Sequence, residues 1–265
     1  MSSAAELIDQ GLQAAFHGWD LSWLEGRARE ARPPWHYPSL VREAANRARR
    51  MLDIDTGGGE MLAALAPLAC FVVATEGYAP NVGVAAERLA SAGIPLVHAG
   101  SAPDNVEQSG STPLETSSAL PFRDEAFELV VDRHSSYWPS EVRRVLAEGG
   151  RFLTQQRNEA GTAGASWEEL FGRTRTPEQR FDLAFARRQL AQADFEVVRA
   201  EEADTPIAFN DVGAVVYYLR AIPWAVQGFD PAGDRVVLER IHERIRRDGR
   251  LVVRGSCMLL EAIAR

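Results

Sequence analysis

The chain has 265 residues, 46% hydrophobic and 25% charged, enough for one large α/β domain with a sizeable core. Its formal net charge of −8 speaks against the broad basic stripe that a nucleic-acid footprint needs, and "RARR" (47–50) and "RIRRDGR" (244–250) read as solvated helix faces. No apolar run approaches the roughly 18 residues of a membrane span, and "MSSAAELIDQG" lacks a secretory pattern, so a soluble cytoplasmic protein is expected.

Residues 4–31 are expected to be helical and amphipathic, with Trp19, Trp23 and Leu24 on the apolar side. "ARPPWHYPS" (31–39) breaks that pattern, because its prolines force extended chain. A helix is expected from an N-capping Ser39 to about Arg49. Strand, turn and helix then alternate. "RMLDID" (50–55), "CFVVATE" (70–76), "PLVHAG" (95–100), "AFELVVDRH" (126–134) and "GRFLTQQ" (150–156) read as strands. Helices are expected at Glu60–Pro67, Pro80–Ala92 and Pro139–Ala147, and a loop rich in Ser, Thr, Pro and Gly at 100–119. Near-continuous apolar strands fit a parallel sheet covered on both faces. Further on, a helix is expected at Pro177–Ala193, a strand at "FEVVRAEEA" (195–203), helices at 210–222 and 230–248, and one or two strands in "GRLVVRGSCMLLEAIAR" (249–265).

The first strand runs into "LDIDTGGGE" (52–60). In a doubly wound sheet, ligands bind beyond the carboxyl ends of the strands, where the strand order reverses. Bare backbone at Gly57, Gly58 and Gly59 lets a ligand approach closely. A dinucleotide turn would need G-x-G-x-x-G, and that pattern fails in either register: starting at Asp55 it meets Glu60, and starting at Gly57 it meets Leu62. A phosphate-binding P-loop fails as well, since no G-K-[ST] follows. Acids on both sides of the turn suit a ligand that is cationic and carries no phosphate. Glu76 ends the second strand 23 residues after Asp53, and a carboxylate there can accept from two vicinal ribose hydroxyls.

Taken together, the chain resembles the class I S-adenosylmethionine-dependent methyltransferases over roughly residues 38 to 156. The resemblance rests on "LDIDTGGGE", "TEGYAPNVGVAAERL", "ALPFRDEAFELVVDRHS" and "EVRRVLAEGGRFLTQQ", four motifs in the family's order. It implies a doubly wound, seven-stranded, mostly parallel Rossmann-like sheet whose last strand is antiparallel. It also implies one methyltransferase domain over 1–265: an N-terminal helical cap (1–38), a cofactor-binding core (39–205), a helical lid insertion (206–250) and a closing strand (251–265). The implied cofactor is S-adenosyl-L-methionine, held by Asp53, Asp55, Thr56, Gly57, Gly58, Gly59, Glu76, Gly77, Tyr78, Thr116, Ser117 and Arg133. Thr116 and Ser117 stand where the family often places an acid against adenine.

Asp55 departs from the family's D-x-G-x-G-x-G at its first glycine. Either it binds the ligand's ammonium and preserves affinity, which is the reading favoured here, or it weakens or abolishes cofactor binding. For the chemistry, His134 leaves the fourth strand on the ligand side and is the candidate general base; a structural histidine holding the loop is the competing reading. His36, Tyr37, Trp138, Gln156 and Trp224 are candidate substrate contacts, with Trp35 and Gln155 as neighbours of the same kind; ordinary packing competes at each. Cys70 and Cys257 sit in apolar runs and the five histidines lack zinc spacing, so no metal is expected.

The leading expectation is a methyltransferase acting on a small-molecule oxygen or nitrogen nucleophile by in-line transfer, as a monomer or homodimer, with no nucleic-acid or membrane partner. Two other readings stay open. One is an RNA methyltransferase using the Arg-rich helices; the other is a cofactor-poor binding or regulatory relative, because of Asp55.

Overall fold

The structure, a computed structural model, describes residues 2–16, 21–102, 105, 119–158, 160–174 and 181–265. The chain divides into two compact units, one from residues 34–157, 178–202 and 257–265, the other from residues 1–33, 158–177 and 203–256. In chain order the helices are α1 (Ala4–Gln13), α2 (Tyr37–Ala45), α3 (Glu60–Leu65), α4 (Ala79–Ala90), α5 (Pro139–Val145), α6 (Trp167–Phe171), α7 (Leu183–Gln192), α8 (Val212–Ala221) and α9 (Arg235–Asp248). The strands are β1 (Ala28–Glu30), β2 (Arg50–Ile54), β3 (Phe71–Glu76), β4 (Leu96–His98), β5 (Phe127–Arg133), β6 (Leu146–Asn158), β7 (Phe195–Asp204), β8 (Ile207–Phe209), β9 (Leu251–Val253) and β10 (Ser256–Ala264). Among the described residues no helix is long and apolar enough to cross a membrane.

The first unit carries a seven-stranded sheet in the order β4-β3-β2-β5-β6-β10-β7. The pairs β2–β3, β2–β5, β3–β4 and β5–β6 are parallel. The chain leaves β2 toward β3 and β4 on one side, then returns to lay β5 and β6 on the other. β2 is therefore the point of reversal, and a crevice opens beyond its carboxyl end. Register sets what meets there: Ile54 pairs with Asp132, and Arg133 with Gln155. Both faces of the sheet are covered. Leu52, Val130, Phe152 and Met258 pack on one side with Tyr137 and Leu190; Met51, Leu129, Val131 and Leu259 pack on the other with Val41, Leu62 and Leu89.

The second unit has its own sheet, β1-β8-β9, antiparallel throughout, and its own core around Trp167, Phe209, Tyr217 and Tyr218. α1 lies against α8 through two glycines: a Cβ on Gly11 would stand 2.4 Å from the carbonyl oxygen of Gly213. Arg27 donates to both Asp211 oxygens (2.9 and 2.8 Å) and lies 3.7 Å over the Trp23 ring.

Several expectations change here. The helix expected over 4–31 stops at Gln13, and Gly26, at φ +74°, turns the chain into β1. Trp19 lies outside the described residues. α2 begins at Tyr37 with His36 as its N-cap, because the Ser39 hydroxyl pairs with His36 Nδ1 (2.8 Å) rather than capping a helix of its own. The one or two strands expected within 249–265 are two, and they lie in different sheets, since β9 pairs with β8 and β10 joins the large sheet.

Leu52 is fully buried in β2, an interior strand of the large sheet. Leu52→Ala is expected to cost about 2–5 kcal/mol, as buried leucine truncations do. Urea unfolding should show a lower midpoint at an unchanged slope; an unaltered midpoint would contradict this packing.

Candidate functional site

β2 delivers Asp53 and Ile54 to the sheet edge, and the chain then turns at Asp55, which has φ +48°. That left-handed conformation suits glycine, and aspartate tolerates it better than most residues do. Gly57 (φ +67°) and Gly59 (φ +78°) continue the turn into α3. Gly59 has a second constraint, because a Cβ there would press on Leu89 at 3.0 Å. The turn is fastened to β3: Thr56 N–H donates to the Thr75 carbonyl (2.9 Å), and Asp55 N–H donates to the Thr75 hydroxyl (3.2 Å).

Glu76 closes β3 and is buried. Tyr78 N–H donates to its Oε1 at 2.7 Å, and the N–H groups of Gly57 and Gly77 also hold its carboxylate. The ribose acid expected from sequence thus stands directly at the glycine turn. Tyr78 itself is about half exposed and precedes α4.

Asp55 does not point idly at solvent. Its carboxylate accepts from Gly77 N–H (3.1 Å) and from the Ser135 hydroxyl (2.8 Å), and the Ser101 hydroxyl adds a third bond. One side chain therefore ties together the ends of β2, β3, β4 and β5. It also borders a cleft lined by Thr75, Gly100, Ser136, Tyr137 and Trp138.

Asp132, the register partner of Ile54, brings a further acid. It is fully buried, with Oδ1 accepting from Gln156 Nε2 (3.1 Å) and Ser135 N–H (3.3 Å). Its Oδ2 and the Oδ2 of buried Asp53 have no hydrogen-bond partner among the described residues. All four carboxyls are pushed up from their ordinary range, in each case chiefly by burial. Asp53 rises to about 7: the Thr56 hydroxyl offsets part of the burial effect, Asp55 and Glu76 add repulsion, and Arg133 relieves some of it. Asp132 is raised well above its ordinary range, chiefly by burial, with Asp55 and Asp53 both contributing. Among the described residues no group of three or more His, Cys, Asp or Glu is arranged to hold a metal ion.

His134 follows β5 at φ +64°, with its N–H bonded to the Gln155 carbonyl (2.9 Å) and its Nε2 lying 2.9 Å from Gln155 Nε2. Packing around the ring withdraws it from water, although the residue as a whole keeps an exposed surface, and this desolvation holds its imidazole well below the usual histidine range, with Arg133 and Arg157 adding to the effect. The ring's Nε2 is thus engaged with the Gln155 side chain.

The other expected contacts divide. Tyr37 is buried, and its hydroxyl faces the carbonyls of Asp132 and Leu153 (2.9 Å each), bracing α2 against β5 and β6. Gln156 is buried too and spends its amide on Asp132, Ser135 and Thr154. His36 is exposed beside Ser39. Trp138 lines the cleft. Trp224 belongs to the other unit and is 57% exposed. Thr116 and Ser117 lie outside the described residues. Sequence reasoning passed over Asp132, Ser135 and Ser101. Asp132 had a legible signal, an acid inside an apolar strand as at Asp53; the serines had none.

A raised acid binds its proton more tightly folded than unfolded. Between its unfolded value near 3.8 and its folded value of about 7, Asp53 therefore makes the native state bind more protons, and stability falls as pH rises through that window. The ligand-free protein is expected to melt higher at pH 5 than at pH 7.5, with Asp53→Asn reducing the difference. A melting temperature that climbs over this range would contradict the account.

No family model matches the chain, and no curated protein matches it. Solved structures do share its fold. A protein of Bacillus halodurans C-125, provisionally assigned as a methyltransferase, is 20% identical, with 85% of this chain and 96% of that one covered at a TM-score of 0.54. The YcgJ protein of Bacillus subtilis is 17% identical, with coverage of 87% and 98% and a TM-score of 0.53. With its sheet order and its glycine turn at the point of strand reversal, the chain has the fold of the class I S-adenosylmethionine-dependent methyltransferases.

Proposed function

We propose that the protein is an S-adenosylmethionine-dependent methyltransferase for a small-molecule oxygen or nitrogen nucleophile. The observation that carries this reading is Glu76, buried at the glycine turn and held by the N–H groups of Gly57, Gly77 and Tyr78. The donor set fits the cofactor's chemistry. Two buried carboxylate oxygens without partners among the described residues, on Asp53 and Asp132, favour a cation, and so many acids disfavour a phosphate.

Residues 53–59 and 76–78 would hold the cofactor, with Glu76 accepting from the sugar hydroxyls and Asp53 facing positive charge. When bound, it supplies an activated methyl group on a cationic sulfur. The chain's own contribution is then alignment and exclusion of water, the larger share of what such a displacement needs. Gln156 and Ser135 fix Asp132, while Tyr37 fixes the ends of β5 and β6, so the crevice floor is rigid before any ligand arrives.

Asp55 is the feature that favours a second reading. Its carboxylate already has three donors, across space that a glycine would leave open. On the leading reading it exchanges them for the ligand's ammonium. On the second, it keeps them and the chain is a cofactor-poor regulatory relative. An RNA substrate fits less well. Arg47 pairs with Glu43, Arg49 and Arg50 pair with Glu128, and Arg244 and Arg247 pair with Asp248, so these Arg-rich stretches carry their own counter-charges.

Isothermal titration with S-adenosylmethionine separates the readings. The wild type is expected to bind, Glu76→Ala to bind at least roughly tenfold more weakly, about 1.4 kcal/mol, and Asp55→Gly to stay near wild type. No heat from wild type together with clear binding by Asp55→Gly would establish the second reading. No binding by either would remove the cofactor altogether.

A further inference from the structure

Three side chains beyond the glycine turn form a directed chain whose polarity can be read from one atom. Trp35 Nε1–H lies 2.8 Å from the Gln155 side chain. An indole nitrogen can only donate, so the Gln155 atom it meets is the amide oxygen. The amide nitrogen therefore faces His134, 2.9 Å from Nε2. That nitrogen can only donate, so Nε2 must accept. The imidazole's one proton is then on Nδ1. Gln155 also holds the His134 backbone N–H through its own carbonyl, and the residue sits at φ +64°, a conformation uncommon for a non-glycine residue and concentrated at working sites. His134 is exposed, and Nδ1 has no hydrogen-bond partner among the described residues. The arrangement fixes a neutral ring with a donor presented outward. The charged groups that act on it are Arg133, the last residue of β5, and Arg157, on β6.

We infer that His134 is a substrate-binding hydrogen-bond donor through Nδ1–H, aimed at a carboxylate of the acceptor, with Arg133 supplying complementary charge and Trp35 and Gln155 acting as positioning residues. This rests on the methyltransferase reading for the word acceptor, and deepens it by naming the acceptor's chemistry. A carboxylate is favoured over a neutral carbonyl because the exposed guanidinium-bearing Arg133, the preceding residue, adds positive charge beside a group that can only donate. The role replaces the proton acceptor expected from sequence: with Nε2 occupied and Nδ1 protonated, the ring has no lone pair to offer.

Long-range proton–nitrogen correlation spectra of the uniformly labelled protein, without cofactor, test this directly. His134→Asn, which a left-handed backbone accepts, identifies the signal among the five histidines. The expected result is an Nδ1-protonated ring that does not titrate from about pH 5 to about pH 8, where an ordinary histidine would. Gln155→Glu, which can accept from Trp35 but cannot donate to Nε2, should move the proton to Nε2 and bring the titration back into that range. Sodium benzoate should shift the His134 signal, benzyl alcohol should not, and Arg133→Gln should weaken the benzoate effect. An Nε2-protonated or titrating ring in wild type, or a Gln155→Glu spectrum like wild type, overturns the tautomer assignment. Equal responses to the two probes, or none to benzoate, overturn the carboxylate. Because no cofactor is present, a chain that ignores S-adenosylmethionine still gives a clear answer, and the two failures are told apart.

Discussion

Asp53, Asp55, Glu76 and Asp132 stand within one another's fields at the carboxyl ends of β2, β3 and β5, withdrawn to different degrees from water. Four acids so placed resist full ionisation, and the fold manages them with backbone N–H groups, hydroxyls, the Gln156 amide and protons. The arrangement follows from parallel strands ending together around a reversal of order. It makes the crevice a poor place for phosphate and a good one for a ligand bringing positive charge and hydroxyls. Rigidity is the other consequence, since Thr75 ties β3 to β2, Ser135 ties β5 to β2, and Gln156 and Tyr37 tie β5 to β6.

Asp55 shows how a departure from a motif can be accommodated without breaking the turn. At φ +48° it adopts the backbone a glycine would, at modest cost, and its side chain finds donors on three other strand ends. The carboxylate thus contributes to holding the crevice together while standing inside it. Ligand entry must compete with these bonds, so affinity at this site is a difference between two sets of hydrogen bonds and not a simple sum.

Much of this was legible in the sequence, and the reasons for the rest are specific. The parallel sheet showed because its strands are apolar runs separated by helical periods, and Glu76 showed because it ends such a run. Two strands of the small sheet were invisible: β1 and β8 are three residues each, too short for an alternating pattern to declare itself. The Asp55–Ser135 bond joins residues 80 apart, and nothing local in either marks the other. Gln155 and Gln156 are adjacent and alike on paper. Strand alternation sends one to His134 and Trp35 and the other to Asp132, and only the register with β5 decides which.

The most direct measurement is a crystal structure grown with S-adenosylmethionine. The account predicts density for the nucleoside at residues 56–59, both sugar hydroxyls on Glu76, and the Asp55 carboxylate turned from Ser135 toward the ammonium. An empty crevice with Asp55 still spanning Gly77 and Ser135, or a nucleoside bound away from Glu76, would contradict it.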